Sequence, residues 1–152
     1  MPAYFVDRAN FTPSLTDDIY VLNAGNNHFT ITSVGWGGRA TSSSAYRTRW
    51  YRAITPPGTL SATFFAQKAS PGATLNTVAV NTFFTPAVPP AEPAGCFVVD
   101  WNAFNGNGYV VFADPIWMGG DVGDALHTRF FCCRNSQGVD PNATHYWTAW
   151  EE

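Results

Sequence analysis

Charge is scarce in this chain. Asp, Glu, Lys and Arg supply only 12% of its residues, about half the usual share of a soluble domain, and Lys68 is the single lysine. A net charge of −3 offers no basic field for nucleic acid or an anionic membrane. Cysteine is sparse and odd in number. Cys96, Cys132 and Cys133 do not make a secreted disulfide framework, and read as reduced packing residues of a protein made in the cytoplasm. No apolar run approaches the roughly 18 residues of a spanning helix. The opening MPAYFVDRANF has neither a basic region nor a long apolar core, so no secretory signal is expected, and the sequons at Asn10 and Asn142 count as chance. Apolar residues at helical spacing, with caps, are nearly missing as well.

What the chain has is apolar and aromatic mass: 45% hydrophobic and 16% aromatic residues over 152 positions. That excludes a disordered chain, and the length suits one domain with its own core. The stretch that organises it is residues 27–54, NHFTITSVGWGGRATSSSAYRTRWYRAI. Strand-like runs at His28–Trp36 and Arg47–Ile54 flank a Gly- and Ser-rich turn, the signature of paired strands. Phe29 and Ile31 share one parity, Val34 and Trp36 the other. The apolar face therefore switches near Ser33 or Gly35, where a bulge or burial on both faces is expected. In the second run Thr48 and Trp50 alternate with Arg47, Arg49 and Tyr51. Together with Arg39 and Arg52, these arginines read as a solvated strand face with salt bridges; the other reading is a surface for an acidic partner.

Further strands are expected at Tyr4–Phe11, Ile19–Leu22, Leu60–Phe65, Thr77–Phe84, Cys96–Asn102, Tyr109–Ala113, Leu126–Arg134 and His145–Trp150. The AFNGNG segment between Cys96–Asn102 and Tyr109–Ala113 is a second hairpin signal. Pro115 and Gly119-Gly120 place Ile116, Trp117 and Met118 in a loop. Cys132 and Cys133, as neighbours in a strand, should point to opposite faces, and so should Trp147 and Trp150. The expected fold is all-β: an antiparallel β-sandwich or jelly-roll-like barrel of about nine or ten strands with little or no helix. It fills residues 1–152 as a single domain, with residues 1–12 as an extended N-terminal arm and the proline-rich residues 85–95 as a stiff loop.

No catalytic constellation stands out. His127, Cys132, Cys133 and His145 lack the paired spacing of a zinc site, and residues 121–124 lack a calcium-loop pattern. A Cys96–His127–Asp100 set has no local support. Asp100 with Asp114 is the carboxylate pair a glycosidase would need, and the Gly35–Gly38 and Gly119-Gly120 clusters match no phosphate loop. The reading is therefore no catalytic, metal or cofactor-binding residue, and not an enzyme. Most of the six tryptophans belong in a core. Trp117 is the best candidate for exposure.

Two regions carry a resemblance: ATSSSAYRTRWYRA (residues 40–53) and RFFCCRNSQGVDPNATHYWTAWEE (residues 129–152). Together they resemble small all-β proteins encoded among the virion genes of tailed bacteriophages and prophages, some of which look like capsid cement (decoration) proteins. The resemblance implies a non-enzymatic structural protein on the capsid surface. It would bind the major capsid protein lattice as a homotrimer, without nucleic acid, membrane or cofactor. Contacts are expected from Tyr4 and Phe5 in the arm, Pro89 and Pro90 in the loop, and Trp117. The alternative is a carbohydrate- or receptor-binding β-module of a virion or tail, and a hydrolase on the same scaffold is a third class.

Overall fold

A computed structural model describes residues 3–9, 18–23, 28–41, 43–53, 59–60, 63–64, 67–68, 79–81, 84–85, 97–104, 106–119, 130–137 and 144–152. Its long strands are β1 (Ala3–Ala9), β2 (Asp18–Asn23), β3 (Phe29–Gly38), β4 (Ala45–Ala53), β5 (Phe97–Asn102), β6 (Asn107–Met118), β7 (Phe130–Gln137) and β8 (Thr144–Glu151). Five pieces of two or three residues accompany them: Thr59–Leu60, Thr63–Phe64, Gln67–Lys68, Ala79–Asn81 and Phe84–Thr85. No helix occurs among the described residues.

The strands form two antiparallel sheets. The first runs β6-β3-β8-β1 and ends on Gln67–Lys68. The second runs β5-β4-β7-β2 and continues into Ala79–Asn81 and Thr63–Phe64. Four long strands each, with no strand shared, make this an open two-sheet stack and not a closed barrel. Eight long strands with short edge pieces replace the expected nine or ten.

The expected hairpins are corrected. β3 and β4 do not pair with each other, and neither do β5 and β6: one member of each couple lies in each sheet. Two-residue primed turns force pairing, whereas the longer links here, residues 39–44 and 103–106, let the chain cross the stack. The two crossings bind each other instead. Gly38 N–H donates to the Gly106 carbonyl, Ala40 N–H to that of Ala103, and Ala103 N–H to that of Ser44, at 3.0–3.1 Å. Asn102 Nδ2 donates to Ser43 Oγ at 2.6 Å. Gly38 is required here, because a Cβ on it would sit 2.2 Å from the Ala103 carbonyl oxygen.

The face switch in β3 is a bulge. Ser33 faces Ala149 and Ile31 faces Trp150, which leaves Thr32 as the extra residue; its hydroxyl donates to the Ala149 carbonyl. On the other flank β6 absorbs residues 112–115 between Val111 and Ile116. Pro115 therefore sits in an irregularity, where a missing N–H is tolerated. Ile116, Trp117 and Met118, expected in a loop, are paired to Ile31, Thr30 and Phe29.

The core lies between the sheets. Tyr4, Val6, Phe29, Ile31, Val34, Met118, Tyr146 and Trp150 of the first meet Ile19, Tyr20, Leu22, Tyr46, Trp50, Trp101, Phe131 and Cys133 of the second. Cys132 faces the other way, into a cluster with Val21, Tyr51 and Phe130, so around β2, β7 and the end of β4 the second sheet buries side chains on both faces, whereas Arg47, Val98 and Asp100 toward β5 stay exposed. Two polar clamps cross the core. Trp50 Nε1 donates to the Tyr20 hydroxyl, which bonds Thr148 Oγ1 on the opposite sheet. Asn135 bonds Thr48 Oγ1 and, across the stack, donates from Nδ2 to the Tyr146 hydroxyl, both at 2.6 Å. Such pairing is what makes buried polar groups tolerable.

Candidate functional site

The residues expected to make contacts are scattered. Tyr4 is 1% exposed and stacks on Trp150 in the core, so it is not available to a partner. The expected arm is corrected over residues 3–9: this stretch is β1, held along its length by β8 and over two positions by Gln67–Lys68. Phe5 is half-buried on the outer face of the first sheet. Pro89, Pro90 and the rest of the 85–95 loop lie outside the described residues. Trp117 is 69% exposed.

Trp117 has company that the sequence reading missed. The large apolar side chains exposed among the described residues are Val98, Phe104, Tyr109, Val111 and Trp117, and all lie on β5, the link after it, or β6. The signal was present in Tyr109–Phe112: Val110 and Phe112 pack on the core while Tyr109 and Val111 point out. In both sheets this edge ends on a long strand, whereas the opposite edges carry the short pieces. An exposed strand edge with apolar side chains is a ready site for association.

The outer face of the first sheet holds the second feature. Asn107, Gly37 and His145 stand in one row across β6, β3 and β8, and Tyr109, Gly35 and Trp147 in the next. Asp7 on β1 continues the second row, and His145 Nε2 lies 3.2 Å from Asp7 Oδ1. Trp147 is partly exposed and Trp150 fully buried, as their opposite parity required.

Elsewhere the candidates for chemistry are occupied. Asp100 accepts two bonds from Arg47, at 2.7 and 2.9 Å. These hydrogen bonds, helped by the guanidinium charge, hold its carboxyl below the usual range. Cys96 and His127 lie outside the described residues, and no three of His, Cys, Asp or Glu come together among those described. No helix of the described residues is long and apolar enough to cross a membrane. Burial, with Cys133 adding to it, pushes the Tyr20 hydroxyl well above its ordinary value, which keeps it neutral in its clamp. No protein-family model matches the chain, and comparison with curated proteins and with solved structures gave no match.

Proposed function

We propose that this is a non-enzymatic virion protein of a tailed bacteriophage, a cement or decoration protein that binds the major capsid protein lattice as a homotrimer. The observation that carries the reading is the open edge formed by β5, residues 103–106 and β6. Every large apolar side chain exposed among the described residues lies there, on a chain otherwise poor in charge. Strand order supports it. Numbered along the chain, the long strands run 1-8-3-6 in one sheet and 2-7-4-5 in the other. That is the double Greek-key wind of jelly rolls, an architecture used by viral capsid and lectin domains. Fold-level likeness is an analogy and does not fix function, so the edge is the part to test.

Burying Val98, Phe104, Tyr109, Val111 and Trp117 across seams between capsid subunits would raise the cost of separating them, since buried apolar area contributes about 25 cal/mol per Å². The test is cosedimentation with purified empty heads that lack the protein, followed by thermal melting of the heads. Saturable binding and a higher melting temperature are expected. Val111→Asp and Trp117→Asp should each weaken binding at least about tenfold, roughly 1.4 kcal/mol. Heads that neither bind the protein nor gain heat resistance overturn the proposal.

A further inference from the structure

At Gly35 and Gly37, β3 contributes no side chain to the outer face of the first sheet, and its neighbours lean into the space. A Cβ on Gly37 would lie 2.6 Å from Asn107 Oδ1 and 3.2 Å from His145 Nδ1. One on Gly35 would lie 2.1 Å from Trp147 Nε1 and Cε2. The indole of Trp147 therefore rests directly on the strand, while Asn107 and His145 approach each other over Gly37. Beside these packed side chains lies an open hollow of about 520 Å³ bounded by Trp36, Asn107, Gly108, Tyr109, His145 and Trp147. Phe5, Asp7 and Ala149 border a second, of about 310 Å³, on which Trp147 also opens. Both sizes fall within the range of small-molecule sites, about 300–1,000 Å³.

The groups around the indole are polar and mixed, with the Asp7 carboxylate as the one acid among the described lining residues. Asp7 engages Nε2 of His145. In the neutral imidazole that bond places the proton on Nε2 and leaves Nδ1 an acceptor; Nδ1 is the atom turned toward Gly37 and Asn107. The Asn107 amide brings a donor and an acceptor, and Tyr109 a hydroxyl. No Lys or Arg is among the described residues of either lining. An anionic ligand would lack the cation that binds a carboxylate or phosphate and would face Asp7. A neutral sugar has the matching chemistry, with an apolar C–H face for the indole and hydroxyls that both donate and accept.

We propose that this hollow beside Trp147 binds a neutral pyranose sugar, stacked on the indole and read by Asn107, His145 and Asp7. The inference stands apart from the capsid reading, since it names a different ligand and centres on Trp147, Asn107 and His145; Tyr109 alone belongs to both surfaces. The experiment is retention of the full chain on a printed array of neutral and acidic glycans, followed by titration of the best neutral oligosaccharide against tryptophan fluorescence. The expected result is preferential retention on neutral glycans and a saturable fluorescence change, with a Kd of about 1 mM or tighter. Trp147→Ala should abolish it. Asn107→Ala, an exposed position that can lose its amide without disturbing the core, should weaken it at least about tenfold with the thermal melt unchanged, and Phe104→Ala should leave it intact. Background retention on every glycan overturns the proposal, as does a preference for acidic glycans or binding that survives both Trp147→Ala and Asn107→Ala. None of these outcomes depends on whether heads are bound.

Discussion

At the scale of single residues, the molecule depends on buried polar groups that the sequence did not single out: Asn135 reads as a turn residue after the Leu126–Arg134 strand, whereas the strand runs on through it to Gln137. Asn135 is wholly buried and joins Thr48 to Tyr146 across the sheets. Truncating it removes the buried acceptor of the Thr48 hydroxyl and a partner of the Tyr146 hydroxyl, so Asn135→Ala should cost about 1–3 kcal/mol, read from the urea midpoint. Tyr20 has a pH signature. Its folded value is raised, so its contribution is complete below the unfolded tyrosine value of about 10 and is lost as pH rises toward the folded one. The wild-type melting temperature should therefore fall above about pH 10. Tyr20→Phe should be less stable at neutral pH but lose less on going alkaline. For Asp100 the sign is opposite: its lowered value means that the Arg47 contact is present above the ordinary carboxylate range and lost as pH falls through the folded value. Carboxyl NMR on Arg47→Ala should show Asp100 titrating closer to its ordinary value; an unchanged titration would refute the assignment.

At the scale of elements, glycine and the bulge decide what the first sheet presents. Gly35 is matched to Trp147, so Gly35→Ala must displace the indole. A loss of about 1–3 kcal/mol, as for overpacking, together with a changed tryptophan emission spectrum would show it. Much at this level was legible beforehand. The Phe29/Ile31 to Val34/Trp36 parity switch pointed to a bulge near Ser33 or Gly35, or to burial on both faces, and the bulge lies at Thr32, one residue before the first of those positions; Cys132/Cys133 and Trp147/Trp150 fell on opposite faces as strand pleating demands. Pairing was not legible. The turn composition of residues 39–44 and 103–106 announces a reversal, but its hydrogen bonds run between the two links, a relation that no local window contains. Trp117 was placed correctly at the surface and wrongly in a loop, because Pro115 reads as a strand terminator and only the bulge around it tells otherwise. Opposite parity required one of Trp147 and Trp150 to face outward without saying which, and the trough beside Trp147 depends on Asn107, some forty positions earlier.

At the scale of the whole molecule, the two sheets differ in what covers them. The second buries side chains on both faces around β2, β7 and the end of β4, while the first leaves one face to solvent, and no described strand pairs with the outer edge of β5 or β6. Association should therefore run through that side. Val111→Asp should lower the apparent mass in sedimentation while leaving the monomer's melting temperature nearly unchanged, since surface substitutions stay within about 0.5 kcal/mol; an assembly indifferent to it would place the contact elsewhere. One further property follows from the register of β1, which runs from Ala3 opposite Glu151 to Ala9 opposite His145. β1 waits for a strand made more than a hundred positions later, and one edge of β3 waits with it. Such distant closure is slow, about milliseconds to seconds or longer. On the ribosome, β1 and one edge of β3 stay without their β8 partner until residues 144–151 emerge, and a nascent chain stalled short of them should be digested by protease faster than the finished chain.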